Sequence, residues 1–132
     1  MAVVNLANEP EELYGGNDSI VIVDNFQSIR GGRSLDVTGY TPEVLKAGHV
    51  IIKEDATNEY KPMPLNAGGT AYAALPSGHS YAGILIATIL TKKPFAGIMV
   101  RGTVNPAAAP FPMTSIMTAV KAALPLIDFR ED

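Results

Sequence analysis

Two apolar runs, YAGILIATIL at residues 81–90 and AGIMVRGTV at residues 96–104, decide the fold of this 132-residue chain. They flank the short segment TKKPF in the way that two strands flank a hairpin turn. Neither run alternates strictly between apolar and polar residues, which favours strands that are buried on both faces. The two runs therefore predict a β-hairpin whose turn lies at Lys92-Lys93-Pro94.

Further extended segments lie on either side of this hairpin. The β-branched run SIVIVDNF (19–26) and the residues VII (50–52) predict strands. The segment YKPMPL (60–65) predicts an edge strand, because its two prolines cannot donate hydrogen bonds inside a sheet. LIDF (126–129) predicts a short closing strand, and the Gly-rich stretch at 66–78 predicts a long loop.

One helix is predicted, in the segment MTSIMTAVKAALP. Thr114 or Ser115 is the expected N-cap, and Pro125 ends the helix. One apolar stripe recurs at helical spacing and is formed by Ile116, Met117, Val120, Ala123 and Leu124. The preceding segment NPAAAPFP (105–112) cannot be α-helical throughout, since three prolines interrupt it.

The order of these segments predicts a β-rich α+β fold with one helix in the C-terminal half of the chain. Residues 1–17 mix Asn, Glu, Pro and Gly without periodicity, which is typical of a flexible N-terminal arm. Residues 18–132 are then expected to form a single domain, which is the usual number for a chain of this length.

Composition excludes several classes of function. The net charge is −3 with only 10 Lys and Arg, so nucleic acid is not an expected partner. The chain has no cysteine, which excludes disulfides and thiolate metal sites. The longest apolar run has ten residues, about half of a membrane span, and no secretory leader is visible at the N-terminus. These features predict a soluble protein made in the cytoplasm.

The stretch LPSGHSYAG (75–83) contains Pro-Ser-Gly-His, which resembles the central motif of the phosphatidic-acid phosphatase and haloperoxidase superfamily. In that family Ser77 and Gly78 would bind phosphate and His79 would act as general acid. The family also needs an Arg-Pro pair and a downstream nucleophilic histidine, and the sequence has neither. The tetrapeptide is therefore expected to be a turn that leads into a strand, with Gly78 at positive φ.

Two weaker patterns could also carry chemistry. His49 and His79 could bind zinc with Glu54 or Asp55, but no ligand spacing supports such a site, and His49 is expected at a strand edge. Arginines 30 and 33 flank a Gly-Gly pair that could hold phosphate, yet the Lys-Ser/Thr of a P-loop is missing. No catalytic, cofactor-binding or metal-binding residue is therefore assigned from the sequence.

A longer match covers residues 45–130. The segments AGHVIIKEDATNEYKPMP, YAGILIATIL and AGIMVRGTVNPAAAPF, followed by a helix and LIDFRED, resemble the head decoration proteins of tailed bacteriophages, the group around the lambda decoration protein. The order and spacing of the segments carry this resemblance, because Gly, Ala and Val are individually common. The long loop NAGGTAYAALPSGHS is a departure from the family pattern.

The resemblance implies a small tulip-like or barrel-like β domain that forms a homotrimer on the outer surface of a capsid. Its partner would be the major capsid protein, the arm would clamp neighbouring capsid subunits, and no cofactor or catalysis would be involved. The Ala/Pro segment 105–112 is expected near a subunit contact of such a trimer, because small residues and prolines allow close approach at little entropic cost. A head fibre attached to the capsid is the alternative. A small phosphatase-like or ligand-binding module is a minor alternative.

The arm gives a first prediction. Deleting residues 1–17 is expected to leave the midpoint of thermal unfolding nearly unchanged, because the segment has no apolar stripe to contribute to a core. The same deletion is expected to reduce binding to capsids. Circular dichroism melts of the full and shortened chains measure the first effect, and a large loss of stability would assign the segment to the core.

Overall fold

A six-stranded sheet organises the protein in a computed structural model that describes residues 18–131. The predicted arm, residues 1–17, and Asp132 lie outside the described residues. The β-rich α+β class predicted from the sequence is confirmed, since strands dominate and the helices are few and short.

The described residues form mostly short strands, with a few helices of one or two turns between them. In chain order, the strands are β1 (Ile22–Ser28), β2 (Arg33–Ser34), β3 (Val44–Leu45), β4 (Val50–Glu54), β5 (Tyr60–Pro62), β6 (His79–Leu85), β7 (Ile89–Leu90), β8 (Phe95–Ala96), β9 (Ile98–Val104) and β10 (Ile127–Phe129). The helices are α1 (Asp18–Val21), a 3-10 helix (Pro106–Ala108) and α2 (Met117–Ala123).

The main sheet has the order β1-β9-β6-β4-β5, and β10 also pairs with β9. All of its pairings are antiparallel except that between β9 and β10, which is parallel. Two small antiparallel pairs, β2 with β8 and β3 with β7, lie beside it. β5 is at the edge of the main sheet, as its prolines predict.

The predicted central pairing exists, but the connection is not a simple hairpin. β6 and β9 pair antiparallel only at Ile84 with Met99 and at Leu85 with Ile98. Between them β7 and β8 turn away to pair with β3 and β2. The run 81–90 is therefore not one strand, and the prediction of a hairpin closed at Lys92-Lys93-Pro94 was wrong in this respect.

Thr88 is the physical reason for the break in that run. Its hydroxyl donates to the Asp18 carboxylate at 2.6 Å, and its backbone N–H donates to the same carboxylate at 2.9 Å. The hydroxyl also accepts a hydrogen bond from the backbone N–H of Ala47 at 3.2 Å. These contacts hold a polar side chain in a buried position, and they divert the backbone from the strand direction.

The first strand begins later than its β-branched sequence predicts. Residues 18–21 form the single turn α1, and β1 starts at Ile22. Val21 is buried against Gly48, and its carbonyl accepts a hydrogen bond from the backbone N–H of Asn105 at 2.8 Å. Tertiary contacts of Val21 thus override the strand propensity of its side chain.

The predicted helix is present, but it is shorter than its sequence pattern and is capped differently. α2 begins after Ile116, which occupies the N-cap position without a side-chain hydrogen bond, so neither Thr114 nor Ser115 caps it. Ile116, Val120 and Leu124 are buried, Met117 is partly buried, and Ala123 is exposed. The apolar stripe is therefore narrower than the sequence predicts.

The core lies in two clusters of buried side chains. The larger one joins the stripe of α2 to the main sheet through residues such as Ile52, Ile84 and Met99. The second cluster lies where the main sheet meets the two small strand pairs, and it contains Leu35, Leu45, Ile51, Leu85, Ala96 and Ile98. Because neighbouring residues of β4 and β6 enter different clusters, the main sheet contributes side chains to both.

In the part of the chain from 18 to 131, no helix has the length and apolar character that crossing a membrane requires.

The second cluster gives a stability prediction with a matched control. Leu85→Ala is expected to lower the free energy of unfolding by about 2–5 kcal/mol, because Leu85 is fully buried and the truncation leaves a cavity. Leu126→Ala removes the same atoms from a side chain that is 62% exposed, and it is expected to change stability little. Urea unfolding of both variants measures the difference, and equal losses would contradict the assignment of Leu85 to the core.

Candidate functional site

The Pro-Ser-Gly-His stretch forms the turn that the sequence predicts. Gly78 has φ +76°, a conformation that glycine adopts without strain, and the backbone N–H of His79 donates to the Pro76 carbonyl at 3.3 Å. β6 begins at His79. The turn therefore delivers this histidine to the first position of a strand in the main sheet.

Both ring nitrogens of His79 have partners. Nδ1–H donates to the Ser77 carbonyl at 3.0 Å, and Nε2 accepts a hydrogen bond from the Lys61 ammonium at 3.3 Å. Lys61 also lies 3.7 Å from the Glu54 carboxylate. The imidazole is thus held between its own turn and the Lys61 ammonium.

The register of β4, β5 and β6 brings Glu54, Lys61 and His79 together in one cluster. Glu54 pairs with His79 between β4 and β6, and Ile52 pairs with Lys61 between β4 and β5. The pKa of Glu54 is lowered, first by a hydrogen bond of 2.8 Å from the Thr57 hydroxyl and then by the charge of Lys61. The carboxylate therefore stays ionised beside the lysine.

A cavity of about 590 Å³ opens next to this cluster. Its walls come from the loop at 36–42, from β5 and the residues that follow it, from the loop at 66–69, and from the turn at 76–79. Lys61 and His79 form part of the lining, and Asp36 and Tyr40 face them from the first loop. This is the candidate functional site of the described residues.

Asp36 is fixed at the wall of this cavity. Its Oδ1 accepts hydrogen bonds from the hydroxyl of Thr38 at 2.6 Å and from the backbone N–H of Thr38 at 3.1 Å. The Thr38 hydroxyl, then its N–H, and more weakly the charge of Lys61 lower the pKa of Asp36. The site therefore holds one ionised carboxylate and one ammonium group.

His49 lies elsewhere, directly before β4 as the sequence predicts, and it is fully buried. Its Nε2–H donates to the Met63 carbonyl at 3.0 Å. Three aromatic rings meet the imidazole edge to face, with centroid distances of 5.5 Å for Tyr40, 5.2 Å for Tyr72 and 5.7 Å for Phe111. These rings come from three separate loops, so His49 ties the loops together.

Burial sets the protonation state of this histidine. Removal of the ring from water lowers the pKa of His49 to about 4, although the hydrogen bond to Met63 opposes the shift. Its Nδ1 has no hydrogen-bond partner among the described residues. A proton there would place a charge among aromatic rings, and the neutral form is favoured.

The other predicted candidates do not come together. Within residues 18–131, no group of three or more His, Asp or Glu residues could hold a metal ion. The guanidinium of Arg33 donates to the Gly32 carbonyl at 2.9 Å and lies 5.6 Å from the centroid of the Tyr60 ring. The Arg33 cation therefore contacts its own loop and the Tyr60 ring.

Sequence reasoning missed Asp36, Tyr40 and Lys61. These three residues line one cavity only because a parallel bridge joins Leu35 to Tyr60, far apart in sequence. The Asp-x-Thr pattern at 36–38 was the one local signal, since it is typical of an Asx turn.

Comparison of the chain with protein-family models, with curated proteins and with solved structures finds no match.

The burial of His49 predicts an acid-sensitive component of stability. The unfolded histidine titrates near pH 6.5 and the folded one near pH 4, so the stabilisation is complete above pH 6.5 and is lost as the pH falls toward 4. Between pH 7.5 and 4.5 this component is about 2.5 kcal/mol. In His49→Gln the loss of unfolding free energy over the same range is expected to be smaller by about this amount.

Urea unfolding at the two pH values measures this difference. His79→Gln is the matched control, because His79 lies outside the aromatic cluster and its replacement should retain the acid sensitivity due to His49. Equal pH dependence of the original chain and His49→Gln would contradict the assignment.

Proposed function

We propose that this chain is a structural virion protein, a decoration protein that binds the major capsid protein on the outer surface of a bacteriophage head and stabilises the shell as a homotrimer. The proposal rests on the resemblance of residues 45–130 to the head decoration proteins of tailed bacteriophages. The proposal assigns no catalysis to the chain.

The open edge of β1 is the observation that carries this proposal. Among residues 18–131, β1 lies at one edge of the main sheet and β5 at the other, and residues 24–28 of β1 are all exposed. Phe26, in the middle of this stretch, is 69% exposed. An edge strand with an exposed aromatic side chain offers both unpaired backbone groups and apolar surface, and association with another chain covers both.

The order of elements also supports the proposal. The segments that carry the resemblance contain, in order, β4 with β5, then β6 with β7, then β8 with β9, then α2, and finally β10. This is the succession of strands, helix and closing strand that the family resemblance implies. The Pro/Ala stretch between β9 and α2 contains only the short 3-10 helix, as an Ala-rich turn requires.

The start of the domain is fixed in position. Asp18 follows the predicted arm directly, and its carboxylate accepts two hydrogen bonds from Thr88. A decoration protein that clamps its shell through an N-terminal arm needs such an attachment, because a binding force on the arm must reach the folded domain. The Asp18–Thr88 contact supports this part of the proposal.

The Ala/Pro segment 105–112 offers a suitable position for testing the trimer. The side chain of Ala107 is exposed, whereas Ala108 and Ala109 pack against the larger core cluster. A charge at Ala108 would therefore disturb folding as well as assembly. A charge at Ala107 tests the interface alone.

We expect the original chain to sediment as a trimer and to bind expanded capsids that lack a decoration protein. Ala107→Asp is expected to weaken both properties, because a charged side chain at a subunit contact must be desolvated. Ala122→Asp, on the exposed face of α2, is the matched control and should leave both unchanged. Analytical ultracentrifugation and co-sedimentation with capsids are the measurements.

The outcomes separate the parts of this proposal. A trimer that does not bind capsids would reject the decoration function but keep the assembly. A strictly monomeric chain would reject the homotrimer. Trimers that survive Ala107→Asp at low micromolar concentration would remove this segment from the interface.

A further inference from the structure

We propose that the cavity bounded by Asp36, Tyr40, Lys61 and His79 binds a small neutral polyhydroxylated molecule, of the size of a mono- or disaccharide. This inference does not depend on the assembly proposed above, because it is drawn from the cavity alone.

The shape of the cavity suits a small ligand. Its volume of about 590 Å³ lies within the range of roughly 300–1,000 Å³ that small-molecule sites occupy. Four prolines, at positions 42, 62, 64 and 76, contribute to its walls. Proline has a fixed φ, so these walls lose little conformational freedom when a ligand binds.

Backbone pairing places the two opposite charges of the cavity side by side. Leu35 and Tyr60 form a parallel bridge, and the backbone N–H of Asp36 donates to the Tyr60 carbonyl at 2.9 Å. The next residue in each segment is the charged one, Asp36 on the first and Lys61 on the second. Both line the cavity.

Both charged groups keep hydrogen-bonding capacity for a ligand. Asp36 uses Oδ1 for Thr38, which leaves Oδ2 as an acceptor. Lys61 contacts His79 and Glu54, and an ammonium group has a third N–H. The cavity therefore offers one anionic acceptor and one cationic donor.

This pairing selects the chemistry of the ligand. An anion would be repelled by Asp36 and by the ionised Glu54 beside Lys61, and a cation bound at Asp36 would lie beside the Lys61 ammonium in the same wall. A hydroxyl group can donate to the carboxylate and accept from the ammonium, and adjacent hydroxyls can do both at once. A neutral molecule with several hydroxyls is the class that satisfies both groups without an uncompensated charge.

Tyr40 adds an aromatic face and a hydroxyl. Its ring is half-buried, and it is held by the edge-to-face contact with His49. Burial raises the pKa of Tyr40 to about 12, so its hydroxyl remains a donor at neutral pH. A rigid aromatic ring beside a carboxylate suits the mixed apolar and polar faces of a sugar ring.

Titration of the ¹⁵N-labelled full chain with glucose, galactose, maltose and lactose, followed by NMR, tests the inference. At least one of these sugars should shift the amide signals of Thr38, Gly39 and Gly68, which belong to the cavity walls. Asp36→Asn and Lys61→Met should each weaken that binding by about tenfold, because each removes one charged hydrogen-bond partner.

Two surface variants serve as matched controls. Lys121→Met and Asp128→Asn change exposed groups outside the cavity and should leave the affinity unchanged. A thermal melt of every variant shows that it is folded, and inorganic phosphate is the anionic probe. Shifts with phosphate but with none of the sugars, no shift with any probe, or sugar binding that both cavity variants retain would each overturn the inference.

Discussion

Strand β9 is the constraint on which the rest of the structure depends, because it pairs with three other strands. β1 runs along one of its edges, whereas β6 and β10 share the other. Pairing along both edges requires close backbone approach, and two glycines permit it. A side chain at Gly83 would meet the Met99 carbonyl oxygen at 2.5 Å, and one at Gly102 would collide with the backbone of Asp24. Both ends of the domain are therefore joined to one strand.

The buried polar residues explain where regular pairing stops. Thr88 interrupts the apolar run after β6, and the surrounding loops are organised by His49 through its ring contacts. Each keeps at least one hydrogen bond in the interior, as buried polar groups require. The chain thus combines a small sheet with long loops that are held by specific side chains and by short strand pairs.

Features with a local cause were predictable from the sequence. The prolines of YKPMPL do mark an edge strand, Gly78 does form a turn, and Ile116, Val120 and Leu124 do form a buried stripe. Features that depend on distant partners were not predictable. The break at Thr88 is set by Asp18, 70 residues away. The cavity requires the bridge between Leu35 and Tyr60, and no residue spacing in the sequence predicts that bridge.

The contact between Asp18 and Thr88 has a mechanical consequence. An antiparallel edge strand pulled from one end peels away one hydrogen bond at a time, which needs little force. A pull on the N-terminal end of this domain would first load the two part-buried hydrogen bonds that Thr88 donates to the Asp18 carboxylate, both together. The load would enter the structure at the end of β6, next to the centre of the sheet. A pull on Asp18 must therefore break these two hydrogen bonds before it reaches the edge pairing of β1 with β9.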